Sequence, residues 1–220
     1  MIDRTILDGF RPLSIAAVAD ALDEVTGERC FMDSTIAPRI RGGRVLGPAA
    51  TVMTAPTGER AVHAATMTVI DEALPGSVLV LGVEDERNAA IWDAVWSAAA
   101  AARGLVGAVT DGAVRDLARI RATDGFEVFA AAVTPGAGFG RIKSLVGNAE
   151  IECGGLVVHP GDLILGDVDG VVAIPADKAA AVLAAAQDIE RRIDDLVSAA
   201  ASSGSAREAM QRHWPRRGGH

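Results

Sequence analysis

The sequence predicts a single α/β domain in which helices flank a central, buried, mixed sheet. Half of the 220 residues are apolar and 23% are charged, which is typical of a folded globular chain. In the first half, apolar runs short enough for buried strands alternate with segments of helical spacing, and short turn-linked strands follow in the second half. This order indicates a partly parallel sheet with antiparallel additions. We expect one domain over residues 1–220, with a core at about 14–200 and a mobile tail over 204–220.

The individual elements follow from caps, breakers and periodicity. Ser14 precedes apolar residues at helical spacing and is a favourable N-cap, so it begins a helix that runs to about residue 25. Pro75-Gly76 and Gly104 end two further helices. The predicted helices cover residues 14–25, 59–74, 89–103, 113–121 and 176–200, and the predicted strands cover 43–56, 77–83, 105–110, 126–130, 156–159, 163–165 and 170–174.

Composition and charge disfavour several classes of function. The formal net charge of −8 disfavours a nucleic-acid partner. No apolar run reaches the roughly 18 residues of a membrane span, and the N-terminus lacks the apolar segment of a signal peptide. We therefore expect a cytoplasmic protein that does not engage a membrane. Cys30 and Cys153 lie far apart in the sequence and are typical of small buried thiols in a reducing compartment.

The most informative segment is GLVGAVTDGAVRD, residues 104–116. Its buried strand leads into Asp111-Gly112, which we expect to form a turn with Asp111 as the N-cap of the next helix. Arg115 and Asp116 would then lie in the first helical turn at the carboxyl end of a strand, where ligands bind in open α/β sheets. An arginine there adds positive charge to the positive end of a helix. Either an anionic ligand held by the guanidinium, or an ion pair of Arg115 with Asp111 or Asp116, accounts for it.

The same segment resembles a known family. VTDGAVRD, together with PGSVLVLG, RGLVGAV and ECGGLVVHPGDLILGDVDGVVAIP in the same order, is similar to the RraA-like family over roughly residues 14–200. This family includes 4-hydroxy-4-methyl-2-oxoglutarate and 4-carboxy-4-hydroxy-2-oxoadipate aldolases. The resemblance implies an αββα fold similar to the phosphohistidine-swivelling domain, assembled as a homotrimer or homohexamer.

The resemblance also implies an activity. A class II, metal-dependent pyruvate aldolase is a lyase that cleaves a carbon–carbon bond of a 4-hydroxy-2-oxo acid and releases pyruvate, with oxaloacetate decarboxylation as a related activity. The alternative is a non-catalytic, protein-binding regulator, like the RraA protein that inhibits an RNA-degrading endonuclease. Those members generally lack the aspartate that follows the arginine, so Asp116 favours the enzyme. Lys143 and Lys178 are the only lysines, which disfavours a Schiff-base mechanism.

Roles carry over by position. The resemblance makes Arg115 the group that binds the pyruvyl end of the substrate and Asp116 the ligand of Mg²⁺ or Mn²⁺. The backbone amides of the preceding loop would bind the substrate carboxylate, and this loop is Asp93, Ala94, Val95 and Trp96. The acidic residue that family aldolases carry in this loop falls at Ala94. Either Asp93, one place earlier, orders metal-bound water and assists proton transfer, or this carboxylate is missing.

Other candidates stay open or secondary. A carboxylate from the closing helix of a neighbouring subunit usually completes the family's site, and Glu190, Asp194 and Asp195 are the candidates. The histidines show no metal-binding spacing, which favours a hard cation held by oxygen over structural zinc. We expect His63, on the helix predicted over 59–74, to be a packing or surface residue. Trp92 and Trp96, four residues apart, are expected to share one helical face.

Overall fold

The structure is a computed structural model that describes residues 3–60, 63–83 and 86–213. Its helices are α1 (Arg4–Phe10), α2 (Ile15–Thr26), α3 (Ala64–Glu72), α4 (Ala94–Ala102), α5 (Leu117–Ile120), α6 (Ala179–Ser203) and α7 (Ala206–His213). Its strands are β1 (Ala37–Pro38), β2 (Val45–Pro56), β3 (Val78–Val83), β4 (Ala90–Trp92), β5 (Gly107–Val114), β6 (Glu127–Val133), β7 (Ile142–Gly147), β8 (Ile151–Cys153), β9 (Leu156–Val158), β10 (Leu163–Asp167) and β11 (Gly170–Ile174). Within these described ranges, no helix is both long enough and apolar enough to cross a membrane.

A mixed sheet of nine strands forms the centre of the molecule. Its order is β1-β6-β5-β3-β2-β10-β11, with β4 added beside β5 and β7 beside β2. Strands β2, β3, β5 and β6 run parallel to one another, while β1, β7, β10 and β11 pair antiparallel to their neighbours. Phe31, before β1, bridges to Val172 in β11, so the sheet nearly closes on itself. The predicted α/β class, with a central mixed sheet flanked by helices, is confirmed.

The helices cover the sheet in two groups. Helices α3, α4 and α5 pack on β2, β3, β5 and β6 around a core that includes Ile70, Ala100 and Ile120. Helices α1, α2 and α6 pack on β10 and β11 around Leu22 and Val182. Full burial of a large aliphatic side chain stabilises a fold by roughly 1.5–3 kcal/mol. Because β4 and β5 run parallel and lead directly into α4 and α5, their carboxyl ends meet beside these two helices.

Several predicted elements are confirmed. The Ser14 hydroxyl oxygen accepts the Ala17 N–H and caps α2, as predicted. The strands predicted at 43–56 and 77–83 are β2 and β3, and the closing helix is α6. Gly104 follows α4 with a φ of +84°, the left-handed conformation expected of a glycine that ends a helix.

Two predicted helices are wrong in part. The helix predicted over 89–103 begins only at Ala94, because the preceding residues form β4. Trp92 thus lies in a strand and shares no helical face with Trp96. The helix predicted over 113–121 shrinks to α5, because β5 continues to Val114. Pairing with β6 is the physical reason, since Ala113 and Val114 still find ladder partners there.

Two further elements differ in extent. Helix α3 covers Ala64–Glu72 where the prediction was 59–74, and residues 61–62 lie outside the described residues. The predicted mobile tail differs over Ala206–His213, which forms α7 with Ala209 buried. Residues 214–220 of that tail lie outside the described residues.

Candidate active site

Two parallel strands bring the predicted site residues together. Trp92 of β4 pairs with Val114 of β5, and the Arg115 N–H donates to the Trp92 carbonyl at 3.1 Å. Asp93 and Arg115 are each the next residue after these pairing partners. The register therefore places them side by side, although 22 positions separate them in the sequence. Both lie at the carboxyl end of their strand, where α/β sheets bind ligands.

The Asp93 carboxylate is engaged through both of its oxygens. Oδ1 accepts the backbone N–H groups of Val95 and Trp96 at 2.9 and 3.4 Å and so caps α4. Oδ2 accepts from Nη2 of Arg115 at 2.9 Å. The Asp93 side chain is only 13% exposed. Charge-assisted hydrogen bonds in such a shielded position are stronger than those of a surface ion pair.

This arrangement explains how the positively charged Arg115 can lie beside the positive end of a helix. The sequence placed Arg115 in the first turn of a helix, but it lies between β5 and α5. The positive helix end beside it belongs to α4, and the Asp93 carboxylate lies between that helix end and the guanidinium. Its hydrogen-bonded acid partner is therefore Asp93. The predicted ion pair with Asp116 also forms but is longer, at 3.9 Å, and no ion pair with Asp111 is found among the described residues.

Arg115 and Asp116 retain unused binding capacity. The Arg115 side chain is 33% exposed, yet its Nε is buried and has no hydrogen-bond partner among the described residues. Asp116 adopts a left-handed backbone conformation with φ +61°, which costs energy for a non-glycine residue and recurs at functional sites. Its carboxylate does not cap α5, is 35% exposed, and lies 3.9 Å from Arg115 Nε. Arg119 Nη1 lies 4.0 Å from its other oxygen, and the carboxylate stays partly exposed.

Asp111 plays a structural part that the sequence did not predict. The prediction that it caps a helix is wrong, because it lies within β5, where the register with β6 shifts between Thr110 and Ala113. Its carboxylate accepts the N–H groups of Val83 at 2.8 Å and Gly154 at 3.2 Å. Burial raises the pKa of Asp111 above its ordinary value of 3.8, against the opposing effect of these hydrogen bonds. Asp111 thus ties β5 to the end of β3 and to the β8–β9 hairpin.

Buried hydrogen bonds hold the start of α4. The Trp92 indole Nε1 donates to the Ser97 hydroxyl at 2.8 Å, and that hydroxyl donates to the Asp93 carbonyl at 2.9 Å. Trp92 also stacks on Phe126 with ring centroids 6.2 Å apart, and both rings are fully buried. The backbone of Asp93 is therefore positioned by the core before any ligand binds.

His63 lies beside the site, although the sequence offered no signal for this. Its ring meets Trp96 edge-on, with centroids 6.0 Å apart and an interplanar angle of 75°. Burial lowers the pKa of His63 below its ordinary value of 6.5, and the negative charge of Asp93 acts in the opposite direction. The predicted packing role is confirmed, and the imidazole is neutral at neutral pH. No spacing pattern connects His63 to Trp96, because α3 and α4 meet only in the folded chain.

The three candidate carboxylates of the closing helix differ in what they contact. Glu190 Oε2 accepts the N–H and the hydroxyl of Ser14 at 2.9 and 2.7 Å, so Glu190 helps to cap α2. Asp194 and Asp195 are exposed. Since α6 packs with α1 and α2, away from Arg115, any contribution to a site would be made to a neighbouring copy. Glu190 is thus engaged within its own chain, whereas Asp194 and Asp195 are exposed.

The donors among the described residues fit a metal site with few protein ligands. The part of the chain that the structure describes holds no group of three or more His, Cys, Asp or Glu side chains able to enclose a metal ion. Mg²⁺ commonly binds through one or two carboxylates and takes its other ligands from water and substrate. The accessible carboxylate of Asp116 fits that pattern, whereas zinc and calcium sites need more protein ligands.

Comparison with known proteins places this geometry in a family. Residues 15–173 match the RraA-like family, described as Aldolase/RraA. The chain belongs to this family. A protein of Halalkalibacterium halodurans that carries the provisional name 4-hydroxy-4-methyl-2-oxoglutarate aldolase is 35% identical over 190 residues, which are 84% of this chain and 83% of that protein.

Solved structures confirm the predicted RraA-like fold. An uncharacterized protein from Pseudomonas syringae pv. tomato is similar with a TM-score of 0.85 at 26% identity, over 96% of this chain and 95% of that one. RraAS2 of Streptomyces coelicolor, described as an unusual member of the RNase ES inhibitor RraA protein family, has a TM-score of 0.81 at 26% identity. That similarity covers 88% of this chain and 97% of RraAS2.

Proposed function

We propose that this RraA-like protein is a divalent-metal-dependent lyase that cleaves a carbon–carbon bond of a 4-hydroxy-2-oxo acid and releases pyruvate. The substrate class is that of 4-hydroxy-4-methyl-2-oxoglutarate, in line with the provisional name of the Halalkalibacterium halodurans relative. The observation that carries the proposal is the adjacent pair Arg115 and Asp116. A guanidinium with an unpartnered Nε lies 3.9 Å from an accessible carboxylate. Such a pair offers one group for an anion and one for a cation.

The residues of the site suit the charges of this reaction. Cleavage next to a 2-oxo acid leaves an enolate, so negative charge develops on the 2-oxo oxygen. Arg115 would neutralise the pyruvyl end, and preorganised positive charge at developing negative charge is the strongest catalytic effect of most sites. Mg²⁺ or Mn²⁺ held by Asp116 would supply Lewis-acid stabilisation of the same oxygen when bound. Oxaloacetate decarboxylation forms the same enolate and would use the same residues.

Of the two alternatives for the loop carboxylate, we propose that Asp93 takes part in proton transfer as the acceptor. An aldol cleavage needs a base for the proton of the 4-hydroxyl group. Both Asp93 oxygens are engaged, Oδ1 by the start of α4 and Oδ2 by Arg115. Three of its roughly four lone-pair sites are taken by these donors, so Asp93 offers a proton a single site on Oδ2 unless it leaves a partner.

A panel assay tests the proposal. Pyruvate release is measured from 4-hydroxy-4-methyl-2-oxoglutarate, other 4-hydroxy-2-oxo acids and oxaloacetate, with Mg²⁺ and with EDTA. We expect Mg²⁺-dependent release from at least one substrate, and loss of that release in Arg115→Met. Arg41→Met is the matched control. Arg41 is exposed, lies outside the site, and has its Nη2 3.4 Å from Asp124 Oδ1. Absence of pyruvate across the whole panel would contradict the lyase.

The similarity to RraAS2 supports a second candidate, a regulator that binds an RNA-degrading endonuclease. The two functions separate in one pair of assays. A regulator slows RNA cleavage by that endonuclease at stoichiometric concentration and does so equally well as Arg115→Met. A lyase loses pyruvate release in that variant and leaves RNA cleavage unchanged. We further propose a homotrimer or homohexamer, measurable by light scattering.

A further inference from the structure

The position proposed for the substrate carboxylate is already filled by a side chain. The donors there are the N–H groups of Val95 and Trp96, and the Nη2 of Arg115. In this structure all three donate to one carboxylate, that of Asp93. A carboxylate bridging a helix N-terminus and an arginine is the arrangement that an anionic ligand would form.

We propose that Asp93 is a built-in occupant of the anion position and that a ligand carboxylate must displace it. The inference rests on the proposed function for the identity of that ligand, a 2-oxo acid. Asp93 then determines affinity and selectivity, because each anion competes with a carboxylate tethered in place. The tether makes this internal competitor effective, since its local concentration is high.

The exchange conserves the hydrogen bonds of the site. An incoming carboxylate replaces Asp93 as the acceptor for Arg115 and for the first amides of α4, so these donors stay satisfied. The cost lies in moving Asp93, which is only 13% exposed, away from a contact of 2.9 Å. A simple monocarboxylate such as acetate brings nothing further to offset that cost. A ligand with a second oxygen, such as a 2-oxo acid or oxalate, can also reach the cation proposed at Asp116.

Displacement would also release Asp93 for chemistry. Once it leaves Arg115, its carboxylate lies next to the bound substrate with a free oxygen. The same movement that admits the substrate would thus produce the base that the cleavage needs. This links binding to the proton-accepting role proposed for Asp93 without a second carboxylate at position 94.

The test uses oxalate as the probe. Oxalate binding to the full-length protein in Mg²⁺ is measured by calorimetry for wild type, Asp93→Ser and Asp124→Ser. Serine is a favourable N-cap, so it keeps α4 capped. Its side chain is uncharged and too short to contact Arg115. Asp124→Ser removes the same charge from an exposed ion pair and controls for overall charge. If Asp93→Ser does not fold, Asp93→Asn replaces it.

We expect Asp93→Ser to bind oxalate at least tenfold more tightly than wild type, and Asp124→Ser to match wild type. A crystal structure of the wild type with oxalate should show Asp93 away from Arg115. Equal or weaker binding in Asp93→Ser, or an Asp93–Arg115 contact that persists with oxalate bound, overturns the inference. Tighter oxalate binding without pyruvate release from any substrate would instead reject the lyase and leave the inference standing. Pyruvate release from a substrate, without tighter oxalate binding in Asp93→Ser, would reject the inference and leave the lyase standing.

Discussion

Arg115→Lys tests whether the site needs a forked guanidinium or only a positive charge. Arg115 spans two carboxylates, with Nη2 at 2.9 Å from Asp93 and Nε at 3.9 Å from Asp116. A lysine ammonium keeps the charge but cannot hold a substrate carboxylate through two parallel hydrogen bonds, as a guanidinium can. The loss of one charge-assisted hydrogen bond costs about 1.5–3 kcal/mol. Since about 1.4 kcal/mol corresponds to a factor of ten in rate, kcat/KM should fall at least tenfold.

The assay is steady-state pyruvate release with the best substrate of the panel, together with thermal unfolding. Arg41→Lys, at the exposed pair with Asp124, is the control and should leave kcat/KM unchanged. A fall in kcat/KM with an unchanged melting temperature assigns the effect to substrate or transition state. A Lys variant as active as wild type would refute the reasoning, because a point charge would then suffice.

Three further predictions concern the cation, a buried acid and the closing helix. Activity should vanish in EDTA and return with Mg²⁺ or Mn²⁺. In the folded Asp116→Asn variant it should fall at least a hundredfold, which corresponds to about 2.7 kcal/mol of activation free energy. Full activity in EDTA would reject the metal. Because burial raises the pKa of Asp111, the folded state holds its proton more tightly than the unfolded chain. The free energy of unfolding of wild type, relative to that of Asp111→Asn, should therefore decrease as pH rises above 3.8. Urea unfolding at a series of pH values measures this difference. An increase with pH would contradict the prediction. Glu190→Ala should lower the free energy of unfolding by about 1–3 kcal/mol, because the Ser14 donors lose their acceptor, whereas exposed Asp195→Ala should stay within about 0.5 kcal/mol. Equal stability of the two variants would contradict the capping role.

Much of the fold was accessible from the sequence because its signals are local. Ser14 is followed by apolar residues at helical spacing, and it caps α2 as expected. The continuous apolar run of β3 has all six of its residues buried between neighbouring strands. In these segments propensity, periodicity and punctuation all favour the same element, so tertiary contacts had nothing to override.

The errors lie where distant pairing decides. Ala90–Trp92 lies just before the alanine-rich helix α4, and pairing with β5 makes it a strand. An Asp-Gly pair is typical of tight turns, yet Asp111-Gly112 stays inside β5. The Asp93–Arg115 contact follows from that same register, so the sequence could name both residues but not their bond. His63 was set aside for the same reason, since its neighbour Trp96 is brought there by packing.

Strand β5 carries one extra residue, a bulge, between Thr110 and Ala113. This bulge explains why Asp111-Gly112 and Arg115-Asp116 occur together in the TDGAVRD motif. A side chain at Gly112 would meet Val83 Cγ1 at 2.6 Å and Ile91 Cγ2 at 3.2 Å, so only glycine lets β3 and β4 approach β5 this closely. Asp111, displaced by the shifted register, bonds to Val83 and Gly154 instead of capping a helix. Bulges of this kind commonly redirect side chains next to active sites. Asp111-Gly112 therefore sets the register of β5 with β4. That register places Arg115 against Asp93.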